Sequence, residues 1–282
     1  MHTKGIILAG GSGSRLYPTT TAYSKQLVNV YDKPLIYYPL NTLISLKVRD
    51  ILIIATSEMI PLYKKLFANS YLLGLNIFFE IQKKPNGIAE SFIIAEDFIG
   101  NEDVWLILGD NIFYGANFIF KKNKNTIFGL YVKEPEKYGV IRFEDKNKPV
   151  EIIEKPYKYI SNYAVPGIYY YDCNVVDIAK KLKPSARNEL EITDVNNILL
   201  EEKLLDITML EKEVVWFDCG NSKSLLEASN FIFSIEERHG IKVGCYEETI
   251  YNANSINKKQ FLTYIDTFPI CDYKNYLNKF FR

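Results

Sequence analysis

Histidine is almost missing from this chain. Of 282 residues only two are His, His2 at the start and His239 beside Gly240. That excludes an HExxH zinc site and argues against a Ser-His-Asp triad or a covalent nucleotidyl-histidine route. Cysteine is scarce too: Cys173, Cys219, Cys245 and Cys271 lie far apart with no Cys-x-x-Cys between them. Neither a structural zinc nor a disulfide framework is expected, and the four read as free thiols. Net charge is absent, with 34 Lys plus Arg against 34 Asp plus Glu. No global field draws nucleic acid or an anionic membrane, so any phosphate binding must come from local charge. No apolar run approaches a membrane span, and the chain enters a strand by Gly5 without a signal-peptide pattern. A cytoplasmic protein is expected. Internal repeats, low-complexity tracts and long linkers are lacking as well.

What is present suits a large α/β domain. Hydrophobic residues make up 48% of the chain, enough for a sizeable interior. Short apolar runs at 5–9, 51–55, 75–82 and 104–108 alternate with helical patterns at 34–48, where Pro39 should kink or delay the helix, and 58–68. That alternation predicts a doubly wound, mostly parallel sheet. From Thr126 the texture changes to strand-like 127–132, 138–143 and 150–153, with a turn at 145–149, which reads as a β-hairpin or small mixed sheet. A helix is expected over 172–182, and another over 225–237 with a stripe at Leu225, Ala228, Ile232 and Ile235, closed by Gly240. Tyr273, Tyr276, Leu277, Phe280 and Phe281 form an aromatic face that either the chain's own domain or a neighbouring subunit must cover.

Chemistry concentrates where strands end. The first strand runs into Gly10-Gly11-Ser12-Gly13-Ser14-Arg15. Glycines there let backbone N–H groups nest around an anion. The turn has neither the Gly-Lys-Ser/Thr of a P-loop nor the third glycine of a dinucleotide fingerprint. It does deliver Arg15, and Lys25 follows ten residues later; a forked guanidinium and a point-charge ammonium suit a transferring phosphoryl group. Asp110 follows five apolar residues, where a carboxylate can hold Mg²⁺ against phosphate oxygens or simply shape a turn. Asp218 ends a second apolar run, Val214 to Phe217.

The stretches LAGGSGSRLYP and SKQLVNVYDKPLIYYPL resemble the sugar-nucleotide pyrophosphorylases, and most closely their thymidylyl-transferring branch. That family's loop usually reads Gly-Gly-Ser-Gly-Thr-Arg-Leu, and Ser14 keeps the hydroxyl of the threonine it replaces. The resemblance implies a Rossmann-like nucleotidyltransferase core over 1–240, with a helical extension over 241–282 for packing or oligomer contacts. Within the core, a nucleotide-binding part spans about 1–125 and a sugar-binding part about 126–220. It places Leu8, Gly10, Gly11, Gly13, Ser14, Arg15, Gln82, Pro85, Gly87 and Asp110 around the nucleotide. Gln82 and Gly87 would meet the base, since one amide can both donate to a thymine carbonyl and accept from its ring N–H. Around the sugar phosphate it places Asn111, Tyr138, Gly139, Glu154, Lys155 and Val165. Arg15, Lys25 and Lys155 carry the catalytic role, and Asp110 with Asp218 binds Mg²⁺.

The implied reaction joins dTTP and glucose 1-phosphate to give dTDP-glucose and pyrophosphate. UTP, another hexose 1-phosphate, or a catalytically silent regulatory subunit are the alternatives. The resemblance also implies a homotetramer with a regulatory nucleotide site near subunit contacts. Three residues depart from the family pattern: Glu90 where glutamine is common, Pro166 where threonine precedes Gly167, and Cys219 in place of threonine in Trp-x-Asp-Thr-Gly. The segment KPSARNELEITDVNN matches a connecting stretch and is assigned to structure rather than chemistry.

Overall fold

The computed structural model describes residues 3–11, 13–122, 124–145 and 148–281. His2, Ser12 of the glycine turn and the Lys146-Asn147 pair of the expected hairpin turn lie outside them.

Strand β1 (Lys4–Leu8) is followed by the glycine turn and a tight pair, β2 (Asn29–Val30) and β3 (Lys33–Pro34). Helix α1 (Tyr37–Ser45) leads to β4 (Asp50–Ala55), α2 (Ile60–Leu66) to β5 (Asn76–Ile81), and α3 (Glu90–Ile94) with α4 (Glu96–Ile99) to β6 (Val104–Leu108). Pro39 falls in the first turn of α1. The N–H it lacks is one the first turn leaves unbonded anyway, so the helix runs on without a break.

Strands β1, β4, β5 and β6 pair in parallel in the order β6-β1-β4-β5. Their near-continuous apolar runs suit strands covered on both faces. Along β1 the side chains alternate, Ile7 joining a core with Trp105 and Ile107, and Ile6 joining another with Leu52 and Leu106. Burying each such side chain contributes about 1.5–3 kcal/mol, which makes these strands the rigid support of the site.

The second half continues the same sheet. After β7 (Asn111–Tyr114) come β8 (Asn125–Tyr131), the antiparallel hairpin β9 (Gly139–Glu144) and β10 (Lys148–Glu154), then β11 (Tyr163–Val165) and β12 (Ile168–Tyr171). The full order is β10-β9-β11-β8-β12-β6-β1-β4-β5. The mixed β region is thus joined edge to edge with the parallel core through β12 against β6. Helices α5 (Val175–Lys181) and α6 (Ile192–Glu201) precede β13 (Leu205–Met209), which pairs in parallel with β8. Strand β14 (Val215–Asp218) pairs with β7 in a separate two-stranded ribbon.

The long helix α7 (Ser222–His239) starts with a capping box on Asn221 and stops at left-handed Gly240, as its stripe and the glycine predict. The tail folds as α8 (Tyr246–Asn252), α9 (Lys258–Ile265) and α10 (Asp272–Asn278). Leu277 is fully buried, and Tyr273, Tyr276 and Phe280 pack against the same core as Ile7. The chain itself covers Leu277 fully and the three aromatic rings in part; the Phe281 side chain is outside the described set. Among the described residues no helix is long and apolar enough to cross a membrane.

Candidate active site

The parallel register sets Leu8 beside Leu108, so the glycine turn after β1 and the Gly109-Asp110 step after β6 leave the sheet side by side. The Gly109 N–H donates to the Leu8 carbonyl at 2.9 Å and seals that junction. The carboxyl edge of a parallel sheet is where such folds place ligands. Asp218 reaches the same spot from more than a hundred residues away. The ribbon pairs it with Asn111, and the Cys219 N–H donates to the Asp110 carbonyl at 3.0 Å.

Lys25, only 8% exposed, is ion-paired with Asp110 Oδ2. Asn111 Nδ2 donates to Asp110 Oδ1 at 2.9 Å. Burial would raise the Asp110 carboxyl, but the charge and hydrogen bond of Lys25, helped by Asn111, hold it below its ordinary value. Asp218 goes the other way. Burial and the Asp110 charge push it up to about 6, against the pull of Lys25, Arg15 and Lys155. The two carboxylates therefore share one electrostatic site, and a divalent cation there would relieve the cost of ionising both.

This has a measurable consequence. The ordinary Asp218 value is 3.8 and the folded value about 6, so the folded state holds that proton more tightly. The destabilising contribution is absent below pH 4, grows as pH rises to 6, and persists above it. Its ceiling is about 3 kcal/mol. Without ligands, Asp218→Asn should raise the Tm at pH 8 and lose that gain at pH 4. An unchanged Tm difference across this range would contradict the shared-site reading.

Arg15 sits in a single 3₁₀ turn, Ser14–Leu16, opened by Gly13, with Ser14 and Arg15 exposed. Its guanidinium lies over Gly220, where an added Cβ would stand 2.9 Å from a terminal nitrogen. Arg15 thus arches from the glycine turn to the residue two beyond Asp218. Among the described residues it has no ion pair, so its donor fork stays available.

Gly11 is exposed with open space around it, and Gly10 lies under the amide of Gln82, where a Cβ would come within 2.2 Å of Gln82 Oε1. Gln82 is buried, and its Nε2 donates to Glu90 at 2.8 Å. Pro85 is exposed in the loop that follows. Gly87 has φ +111°, and a Cβ would lie 2.3 Å from the Leu190 carbonyl oxygen. Only glycine closes this contact, in which the Leu190 N–H donates to the Asn86 carbonyl at 2.7 Å.

Asn111 organises the other side of the site. Its Oδ1 accepts from the Gly167 N–H at 3.1 Å and from Trp216 Nε1 at 2.6 Å, and Tyr138 packs on Trp216 with ring centroids 4.7 Å apart. A cavity of about 190 Å³ opens here, with Arg15, Asp110, Asn111, Tyr138, Gly139, Glu154, Lys155, Val165 and Asp218 in its walls. Lys155 takes φ +43°, strained for a residue with a Cβ, and its N–H donates to the Tyr138 carbonyl at 2.9 Å. Pro166, with no N–H to give, offers its carbonyl to Ile168 at 2.8 Å.

Two features lay beyond sequence reasoning. The segment assigned to structure alone also builds the cavity: Ile192, Thr193 and Asn196 line it. Thr193 Oγ1 donates to Glu154 at 2.8 Å, and Arg187 grips Glu154 at 3.2 Å and Glu191 at 2.7 Å. Gln26, next to Lys25, is buried against Gly109 with its Oε1 unpartnered among the described residues. The excess of charged residues at 187–191 was the available signal, but nothing in its spacing points to Glu154.

The nucleotidyl transferase family matches residues 4–234. The chain belongs to that family. Over 280 residues it is 45% identical to a glucose-1-phosphate thymidylyltransferase of Mycolicibacterium smegmatis, covering 97% of each chain. Over 281 residues it is 42% identical to one of Neisseria meningitidis, covering 97% of this chain and 98% of the relative. Among solved structures it is similar to a Bacillus anthracis protein, described provisionally as a glucose-1-phosphate thymidylyltransferase, in complex with a sucrose. The TM-score there is 0.74 at 38% identity, covering 81% of this chain and 94% of that one. The resemblance read from the motifs of this nucleotidyl transferase is borne out over nearly its full length.

Among its described residues no three His, Cys, Asp or Glu converge as a metal cluster. The donors at hand are the two aspartate carboxylates. That set fits magnesium, which usually takes one or two protein carboxylates and fills its shell with water and phosphate oxygens.

Proposed function

We propose that this nucleotidyl transferase moves the thymidylyl group of dTTP to α-D-glucose 1-phosphate, giving dTDP-glucose and pyrophosphate. The observation that carries this reading is the convergence of Asp110, Asp218, Arg15 and Lys155 on one cavity, with Lys25 ion-paired to Asp110 behind it. A protein that only binds sugar nucleotides would have no need of both half-buried carboxylates. The 42–45% identity to thymidylyltransferases supports dTTP and glucose 1-phosphate as the pair.

A glucose 1-phosphate oxygen attacks the α-phosphorus in line as pyrophosphate leaves. The attacking phosphate has its second pKa near ~6, so it is largely ionised at neutral pH and no histidine base is required. The chain's work is to align two anions and to spread the developing charge. The glycine turn offers backbone N–H groups to the triphosphate, Arg15 and Lys25 neutralise its oxygens, and Lys155 holds the sugar phosphate. Glu154, itself held by Arg187 and Thr193, accepts from sugar hydroxyls. Gln82 reads the base. Asp110 and Asp218 would hold Mg²⁺, which when bound draws phosphate negative charge away from the reacting phosphorus. The same reading takes the protein to be a cytoplasmic homotetramer that supplies the first intermediate of dTDP-deoxysugars.

The test is pyrophosphate release by purified protein with Mg²⁺ across dTTP, UTP, CTP, ATP and GTP, each with glucose 1-phosphate and then other hexose 1-phosphates. Release with dTTP and glucose 1-phosphate is expected, with UTP the nearest competitor, because its base lacks only a methyl, which discriminates by about 1–3 kcal/mol, the 2′-hydroxyl being the other difference. Silence with every pair despite dTTP binding would move the protein to a regulatory role.

A further inference from the structure

Glu90 opens α3 with both carboxylate oxygens engaged. Oε2 accepts from Gln82 Nε2 at 2.8 Å and Oε1 from Asn86 Nδ2 at 2.7 Å. Gln82 is 3% exposed, and its own N–H is tied to the Ala55 carbonyl at 2.9 Å. The other end of its amide faces the glycine turn, with Oε1 lying 2.2 Å from where a Cβ on Gly10 would stand. Among the described residues that oxygen accepts no hydrogen bond.

An amide side chain can stand either way round in nearly the same space. Which end points where is decided by its partners. A carboxylate is acceptor only, so it binds the NH₂ end and repels the carbonyl end. A glutamine at position 90, common in the family, could satisfy either end and would leave the choice open. Glu90 removes that freedom.

We propose that Glu90 is a positioning residue that sets base specificity by holding Gln82 in the one orientation that reads an imide pyrimidine. The proposal rests on the reading of Gln82 as the base contact. Thymine and uracil offer an N3–H donor beside a carbonyl acceptor. Gln82 as oriented accepts from the N3–H through Oε1 and donates its remaining amide N–H to the carbonyl. Cytosine offers the reverse, an N3 acceptor beside an amino donor, and needs the amide turned over. Turning it would set Gln82 Oε1 against the Glu90 carboxylate. Discrimination against cytosine thus comes from an unfavourable contact with Glu90 as well as from the favourable pair with thymine.

The test compares dUTP with dCTP, which differ only on this edge of the base, using the full-length protein and its Glu90→Gln, Glu90→Ala and Gln82→Ala variants. Glu90→Gln keeps the shape, and Glu90→Ala gives a second route to the same answer. In both, the ratio of kcat/KM for dUTP over dCTP should fall about tenfold or more, the scale of a mismatched buried polar pair. The fall should be carried by KM rather than kcat, and Glu90→Gln should use dCTP better than the wild type does. If both Glu90 variants keep the wild-type ratio while Gln82→Ala collapses it, Gln82 reads the base without Glu90 and the proposal is overturned. If all three keep it, the base reading falls as well.

Discussion

Asp110→Asn should lower kcat/KM for dTTP about a thousandfold while leaving the fold intact. The carboxylate is half-buried, accepts from Lys25 and Asn111, and stands at the carboxyl end of the central strand. Its charge keeps Lys25 in place and stands with Asp218 in the wall of the cavity. The amide keeps the volume and one acceptor oxygen for Lys25 but removes the charge on which the phosphate side of the site is built. Loss of one preorganised electrostatic contact typically costs 10²–10³ in kcat, and on the proposed reading an anchor for the cation goes too. Alanine is the less clean choice, because stripping the partner from a buried charge destabilises by about 3–5 kcal/mol. Steady-state kinetics with a melting curve separates the two effects. Wild-type turnover in a stable Asp110→Asn protein would remove Asp110 from the reacting end.

Arg15→Ala should reduce kcat by about 10²–10³ with a much smaller change in KM. The side chain is exposed and spans from the glycine turn to Gly220. Its fork is free to close on phosphate oxygens as charge develops. A group that contributes mainly in the transition state shows its loss in kcat and kcat/KM alike. Arg15→Lys should recover only part of the rate, because an ammonium cannot grip two oxygens at once. An Arg15→Ala enzyme with unaltered kcat and raised KM would make Arg15 a ground-state binding residue instead.

Much of this site could be read from the sequence because its parts sit where strands end. A buried parallel strand is a short apolar run, and the glycine or Gly-Asp that follows it marks the ligand edge; β1 with its turn and β6 with Asp110 both followed that rule. The stripe of α7 and its stop at Gly240 were equally plain. Contacts between segments distant in the chain were not. Nothing in the spacing of Lys25 shows that it is buried against Asp110, or that Arg187 and Thr193 hold Glu154. Such pairings depend on which strands become neighbours, and local propensity carries no record of that. The link of β12 to β6, which makes one sheet of two expected parts, was hidden for the same reason. Pro39 shows a local signal whose outcome depends on its place: it falls in the first turn, so the helix expected from Pro34 starts at Tyr37, delayed and not kinked.

On the proposed mechanism the chain aligns two phosphates for a single direct displacement. Stereochemistry at the α-phosphorus tests it most directly. With one diastereomer of the α-thio analogue of dTTP and glucose 1-phosphate, a single in-line attack gives dTDP(αS)-glucose of inverted configuration at phosphorus. Inversion is the expected result. Retention would require two successive displacements through a covalent nucleotidyl-enzyme intermediate, and would contradict it.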